Sequence, residues 1–216
     1  MTAPAATRSP VAWITLVVVL LGGLAVDLGS KSWAFRTIAG TPVVIDHDRL
    51  LADPTYQPIP PHVPRHVLPG RLLDFELVLN RGAVFGLFEN QRIFLIGFTV
   101  LALGIGTLLF ARWTTSRHHM AHVAIGLVLA GGIGNLIDRI TVGAVRDFLR
   151  MLPDWHLPFG LHWPGGSNEI FPWVYNVADV MLLAGMGLLI IHMFRMDRAA
   201  QIARRAAADA ASTAAD

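Results

Sequence analysis

The chain has 216 residues, 54% of them hydrophobic and only 15% charged, against about 25% charged in an ordinary soluble domain, so a solvated globule or a disordered chain fits poorly. It holds no cysteine, which removes disulfide frameworks, cysteine-ligated zinc, iron–sulfur clusters, thiol nucleophiles and a lipid-carrying mature N-terminus. The formal net charge is only +2, and the arginines are scattered among apolar stretches rather than gathered with aromatics, so no nucleic-acid partner is indicated.

Residues 9–26 form the first apolar stretch, free of Asp, Glu, Lys and Arg. About 20 residues at 1.5 Å rise cross a hydrocarbon core of roughly 30 Å, so it qualifies as a spanning helix, at about 11–29. It is long for the apolar region of a signal peptide, and Val26-Asp27-Leu28 is no small-residue cleavage site, so it is expected to stay as helix one. Pro54, Pro58, Pro60, Pro61, Pro64 and Pro69 then deny the next stretch a helix. Residues 72–79 follow, with an Asp74/Phe75/Glu76/Leu77 alternation that predicts a strand with one wet face. Residues 93–111 and 120–137 are again uncharged and predict helices at about 92–111 and 120–138, joined by a compact basic turn. Residues 151–167, with three prolines, Trp155, Trp163 and Gly165-Gly166, predict a second ordered loop. Residues 170–194 carry Asp179 as their one charge and predict a fourth helix at about 174–194.

The expected fold is therefore an all-α membrane protein: four transmembrane helices, a small extracytoplasmic β element and ordered loops on the periplasmic side. Residues 1–195 make one four-helix membrane domain, and 196–216 an Ala/Arg-rich cytoplasmic tail in the form of a solvated helix. Trp13, Trp33, Trp113 and Trp173 lie near the ends of the apolar stretches, where an indole prefers to sit. Raw Lys and Arg numbers favour the opposite orientation, but the positive-inside rule weighs short loops and helix flanks, and the turn at 112–121 is short, basic and free of acids. Both termini are thus expected in the cytoplasm.

Polar residues cluster where alternate threading brings helix ends to one membrane face: Asp27 and Lys31, Asn80, Asn135 with Asp138 and Arg139, and Asn176 with Asp179. Ionisable groups at membrane depth cost roughly 2.5–3.5 kcal/mol on insertion scales, so such a cluster is a site candidate. Asn176 and Asp179, three apart, share a helix face. Asp179 equally suits the positive end of the helix dipole, and Asp147 equally suits a loop ion pair with Arg146 or Arg150. Two carboxyls brought close share one proton, so one acts as base towards water and the other as acid, the division of labour of an aspartic protease. The residues alone do not choose between Asp138 and Asp147 for this role. His118, His119 and His122 have a spacing that helices often show without metal, and no metal site is assigned. A channel or transporter built on the same polar cluster, a metal-dependent lipid transferase and a non-enzymatic assembly factor are the competing readings.

Five motifs in series now enter: Asp27-Leu28-Gly29-Ser30-Lys31; Asn80-Arg81-Gly82-Ala83-Val84-Phe85-Gly86; Gly131-Gly132-Ile133-Gly134-Asn135-Leu136-Ile137-Asp138-Arg139; Gly143-Ala144-Val145-Arg146-Asp147-Phe148; and Asn176-Val177-Ala178-Asp179. In order, spacing and helix number they resemble the motif series of bacterial lipoprotein signal peptidase, signal peptidase II, over residues 11–195. The resemblance implies a four-helix inner-membrane aspartic endopeptidase that removes the signal peptide from prolipoproteins just before the diacylglyceryl-modified cysteine. It makes Asp147 and Asp179 the catalytic pair, places Asn80, Asn135, Arg139 and Asn176 around substrate, and gives Asp27, Lys31 and Asp138 structural or supporting roles. It implies no cofactor and no metal, membrane lipids and diacylglyceryl-modified prolipoproteins as partners, and a monomer. Ser30, Val84, Tyr175 and Val180 depart from the usual threonine, alanine, phenylalanine and small polar residue. The connections at 32–79 and 151–170 are longer than the family usually has.

Overall fold

The computed structural model describes residues 3–82 and 91–213, with side chains to residue 208. Among the described residues, four helices are long and apolar enough to cross a membrane. The first, α1 (Pro10–Thr37), starts on a Ser9 cap whose Oγ accepts from the Ala12 N–H at 3.3 Å, with Pro10 at the first helical position. At 28 residues it is about 42 Å long, well beyond a hydrocarbon core of roughly 30 Å. It runs past the expected end near residue 29 because Ala34, Phe35 and Ile38 are buried beneath a sheet.

A short α2 (His47–Ala52), capped by Asp46, lies in the long first connection, where no helix was expected. The proline-rich 53–64 stretch stays non-helical. Strand β1 (Arg65–Leu68) and β2 (Leu73–Asn80) follow, then α3 (Arg92–Trp113), α4 (His119–Thr141), β3 (Val145–Met151), β4 (Val174–Tyr175) and α5 (Val177–Thr213). The predicted strand at 72–79 is thus β2, joined by three strands that the pattern did not reveal. The described strands form one antiparallel sheet in the order β1-β2-β3-β4. Val78 pairs with Asp147 and Asn80 with Val145; Leu149 pairs with Tyr175. This last pairing holds Val174 and Tyr175 extended, so α5 starts at Val177 rather than near 174.

One sheet face buries Leu77 and Phe148 against Ala34, Phe35 and Ile38 of α1, with Trp33 edge-on to Phe75 at 5.3 Å. Among the helices, α4 is the most enclosed and packs against α1, α3 and α5. Small residues allow that approach. A Cβ at Gly131 would collide with the carbonyl oxygen of Ala178, and one at Gly134 with Oδ2 of Asp27. Both contacts lie at the end of the bundle that meets the sheet, and they set how near α4 comes to the start of α5 and to α1.

Candidate active site

Asp27 and Lys31 stand one turn apart on α1, on the face turned to α4. Lys31 Nζ donates to Asp27 Oδ2 at 2.9 Å and to Asn135 Oδ1 at 2.9 Å, and lies 3.3 Å from Asp138 Oδ2. All three ionic side chains are fully buried. Arg146 completes the charge balance: its Nε and Nη2 donate to Asp138 Oδ1 at 3.0 and 2.6 Å, and its backbone N–H donates to Oδ2 at 3.0 Å. Two carboxylates thus meet two cations, the condition under which buried charge is tolerated. Asp27 Oδ1 also accepts from the Ala178 N–H at 2.9 Å, so it satisfies one of the free donors in the first turn of α5.

Side chains alternate along a strand, so Arg146 and Asp147 leave β3 on opposite faces. Neither arginine pairs with Asp147: Arg146 goes to Asp138, and Arg150 to Glu76 and Glu169. Asp147 instead receives amides. Asn80 Nδ2 donates to its Oδ2 at 3.0 Å, and Asn176 Nδ2 to its Oδ1 at 2.6 Å. Asn80 reaches it because, with Asn80 opposite Val145, the two residues are diagonal neighbours on one sheet face. Asp147 is 1% exposed, and burial pushes its carboxyl up to about 7, helped by the charge of Asp179 and opposed by the two amides and Lys31.

Asp179 sits at the third helical position of α5, with Asn176 as the cap residue. Asn176 Oδ1 accepts from the Asp179 N–H at 3.2 Å, and Asp179 Oδ2 accepts from the Asn176 N–H at 3.1 Å, the reciprocal pairing of a capping box. Asn135 Nδ2 donates to Asp179 Oδ1 at 2.9 Å, while its Oδ1 takes bonds from Lys31 and from Asn176 Nδ2 at 3.1 Å. The two carboxylates are therefore joined through Asn176 and Asn135, whose amide orientations are fixed by Lys31 and the Asp179 N–H. Unlike Asp147, Asp179 is partly exposed.

Arg139 is within electrostatic range of both carboxylates, but its hydrogen bonds go to the Asn135 and Gly82 carbonyls. Arg92 Nε, in turn, donates to the Arg139 carbonyl at 2.6 Å. Asn80 Oδ1 accepts from the Gly82 N–H at 2.9 Å. Ala83 to Gly86 of the second motif, including Val84, lie outside the described residues. Two arginines contribute more than the sequence signalled. Arg81 donates to the carbonyls of Leu50, Asp53 and Tyr56 and so fastens the α2 segment beside the site; Arg146 neutralises Asp138. The DRI and VRD triplets mark charged pairs, but strand alternation was needed to assign their partners. His118 packs on His192 and His119 on His122, ring to ring, away from this cluster.

The family model for signal peptidase (SPase) II matches residues 18–195. The chain belongs to the signal peptidase II family. The matched span covers Asp27 and Lys31 of α1, the sheet, and the α4 and α5 polar positions. The lipoprotein signal peptidase of Symbiobacterium thermophilum is 36% identical over 137 residues, 63% of this chain and 80% of that protein. That of Geobacter metallireducens is 32% identical over 171 residues, 76% of this chain and 92% of its own length. Two solved bacterial membrane enzymes, determined by the in meso method at 2.3 and 1.9 Å, have TM-scores of 0.58 and 0.59 to this chain at 23% identity. They cover 84% and 83% of it and 88% and 92% of their own chains, and they show the same fold. As a signal peptidase II family member, the chain is a multi-pass membrane peptidase.

Proposed function

We propose that the chain is an aspartic endopeptidase that removes the signal peptide from prolipoproteins, cutting before the diacylglyceryl-modified cysteine, with Asp147 and Asp179 as the catalytic pair. The observation that carries this reading is the amide bridge from a buried carboxyl, pushed up to about 7, to a second, partly exposed carboxylate. A pair of this kind shares one proton below that value.

In the first step the ionised carboxylate takes a proton from water as the water oxygen attacks the scissile carbonyl carbon, and the protonated carboxyl gives its proton to the carbonyl oxygen. The resulting gem-diol collapses when the newly protonated carboxyl passes its proton to the cysteine amide nitrogen. The C–N bond breaks, and the other carboxylate recovers a proton from the diol. The two carboxyls share one proton, so the starting base is a property of the two together. Asn80, Asn135 and Asn176 orient the carboxylates, and Arg139, tied to the Gly82 carbonyl, borders the substrate path. Asp27, Lys31 and Asp138 hold α1, α4 and α5 in place around them.

The peptidase unit comprises residues 1–195, with the continuation of α5 as a cytoplasmic tail. The chain lies in the bacterial inner membrane as a monomer with both termini cytoplasmic and the dyad towards the extracytoplasmic side. The substrate's acyl chains lie in lipid beside the helices. The test is incubation of detergent-solubilised protein with a prolipoprotein carrying the diacylglyceryl group and with its unmodified form. Cleavage of the modified form alone, lost in Asp147→Asn and Asp179→Asn, is the expected result. Near-normal cleavage by Asp147→Asn overturns the assignment.

A further inference from the structure

The 151–170 connection is built, not slack. Leu157 N–H donates to the Asn168 carbonyl at 2.7 Å and Ile170 N–H to the Trp155 carbonyl at 2.6 Å, with His156 paired to Glu169. These bonds make 155–170 a hairpin. Its base is fixed by Trp155 Nε1, which donates to the Gly70 carbonyl in the β1–β2 turn at 3.1 Å. Its tip is closed by Trp163 N–H to the Ser167 carbonyl at 2.8 Å, and by Trp163 Nε1 to the Glu169 carbonyl at 2.9 Å.

The tip is apolar and unusually bare. Residues 157–166 contain no Asp, Glu, Lys or Arg, yet Phe159 is 97% exposed and Leu161 57%. Phe159 is a non-glycine residue at φ 60, in a left-handed conformation that a bulky side chain adopts at a cost. The backbone is bent here so that the ring leaves the protein surface rather than packing on it. In a water-facing loop the exposed apolar surface works against solubility and the left-handed residue against stability.

The depth of the tip is set by an aromatic ladder. Trp163 packs edge-on to Trp173 with centroids 4.9 Å apart, Trp173 on Phe171 at 5.4 Å, and Phe171 on Tyr175 at 5.7 Å. Trp173 and Tyr175 immediately precede Val177, where the fourth spanning helix begins. Aromatic side chains in that position mark the level of the membrane–water interface. Trp163 is in ring contact with that level, so the exposed Phe159 and Leu161 are within reach of the bilayer that the four helices already occupy.

We propose that the 155–170 hairpin is an interfacial membrane anchor whose tip inserts Phe159 and Leu161 among the lipids of the leaflet on the dyad's side, with Trp163 at the headgroup level. The occupant is phospholipid, and because the tip carries no charged side chain, zwitterionic lipid is enough; anionic headgroups are not required. The hairpin then pins the β3–β4 end of the sheet to the bilayer beside Asn176. This proposal goes beyond the peptidase reading and does not depend on the dyad assignment.

The chain's lack of cysteine makes the test clean, since one introduced cysteine carries one nitroxide label. Phe159→Cys is labelled in the full-length protein, reconstituted in phosphatidylcholine vesicles, and collision rates with oxygen and with a water-soluble nickel chelate are measured. Leu183→Cys, on an exposed face of α5, gives the lipid reference, and Arg205→Cys, about 42 Å along α5 from Val177 and so past a hydrocarbon core of roughly 30 Å, the water reference. Phe159 makes almost no buried contact, so its replacement leaves the fold intact. The expected result is an oxygen-to-nickel ratio at 159 several-fold above that at 205 and approaching that at 183. A ratio equal to that at 205 places the tip in water and overturns the proposal. Low collision with both reagents means that protein, not lipid, covers the tip, and overturns it equally.

Discussion

Asn176 serves both carboxylates at once: its Nδ2 donates to Asp147 Oδ1 at 2.6 Å, while its backbone N–H donates to Asp179 Oδ2 at 3.1 Å. Its own Oδ1 is occupied by the Asp179 N–H, so the amide has no freedom to flip. Asn176→Ala removes a preorganised donor and a helix cap together. The expected loss is about 10²–10³ in kcat, with a stability cost of about 1 kcal/mol from the cap and a further ~1–3 kcal/mol from the buried acceptors on Asp147 and Asn135 that it leaves unpaired. Cleavage kinetics beside thermal unfolding in detergent check the split; a variant that unfolds but cleaves normally contradicts it.

Cleavage should fall as pH rises through about 7, because Asp147 then loses the proton that the pair shares. An initial-rate profile of the solubilised protein from pH 5 to about 9 checks this. A rate still rising beyond about pH 8 would contradict it.

The same carboxyl has a consequence for stability. Its folded-state titration lies near 7, above the ordinary 3.8, so between these values the folded state binds the proton more tightly than the unfolded one. Stability from this group is fully present below the lower value and is lost as pH rises through the upper one. The gap sets an upper limit on the order of 4 kcal/mol. Unfolding temperatures of the wild type minus those of Asp147→Asn should therefore decline across that window and level off above it.

Lys31→Met leaves Asp27 and Asp138 buried, with Arg146 as the one remaining cation of the group. Removing one partner from buried ion pairs costs about 3–5 kcal/mol. Thermal unfolding should show this loss. Adding Asp27→Asn, which removes one uncompensated charge, should restore part of it.

Gly134→Ala drives a methyl into Asp27 Oδ2, on which both Lys31 and the first turn of α5 depend. Gly29→Ala, with nothing near its added carbon, is the control. The first should lower the unfolding temperature and activity together; the second should leave both unchanged.

Much of this arrangement was readable from local spacing. Asp27 and Lys31 at four residues describe partners on one helix, and that pair forms; Asn176 and Asp179 at three also pair, but with Asn176 as the cap ahead of α5 rather than on its face. The capping role of Asp179 and its place in the site are not alternatives, since one carboxylate oxygen accepts from the cap residue and the other from Asn135. The partner of Arg146 was not readable. It depends on which face of β3 the side chain leaves, and β3 exists only because β2, 65 residues or more upstream, pairs with it. The hairpin at 155–170 was likewise hidden: backbone hydrogen bonds hold it, and its side-chain pattern carries no alternation.

Arg146 and Asp147 are adjacent on one strand but face opposite neighbourhoods. A slip of β3 by a single residue against β2 would send each side chain to the opposite face, bringing either Arg146 to the place of Asp147 beside Asn176 or Asp147 to the place of Arg146 beside Asp138, according to its direction. Deleting or inserting one residue between Gly143 and Asp147 should thus be far more harmful than most point changes there, since in either direction it breaks the bond of Arg146 to Asp138 and that of Asn176 to Asp147 in one stroke.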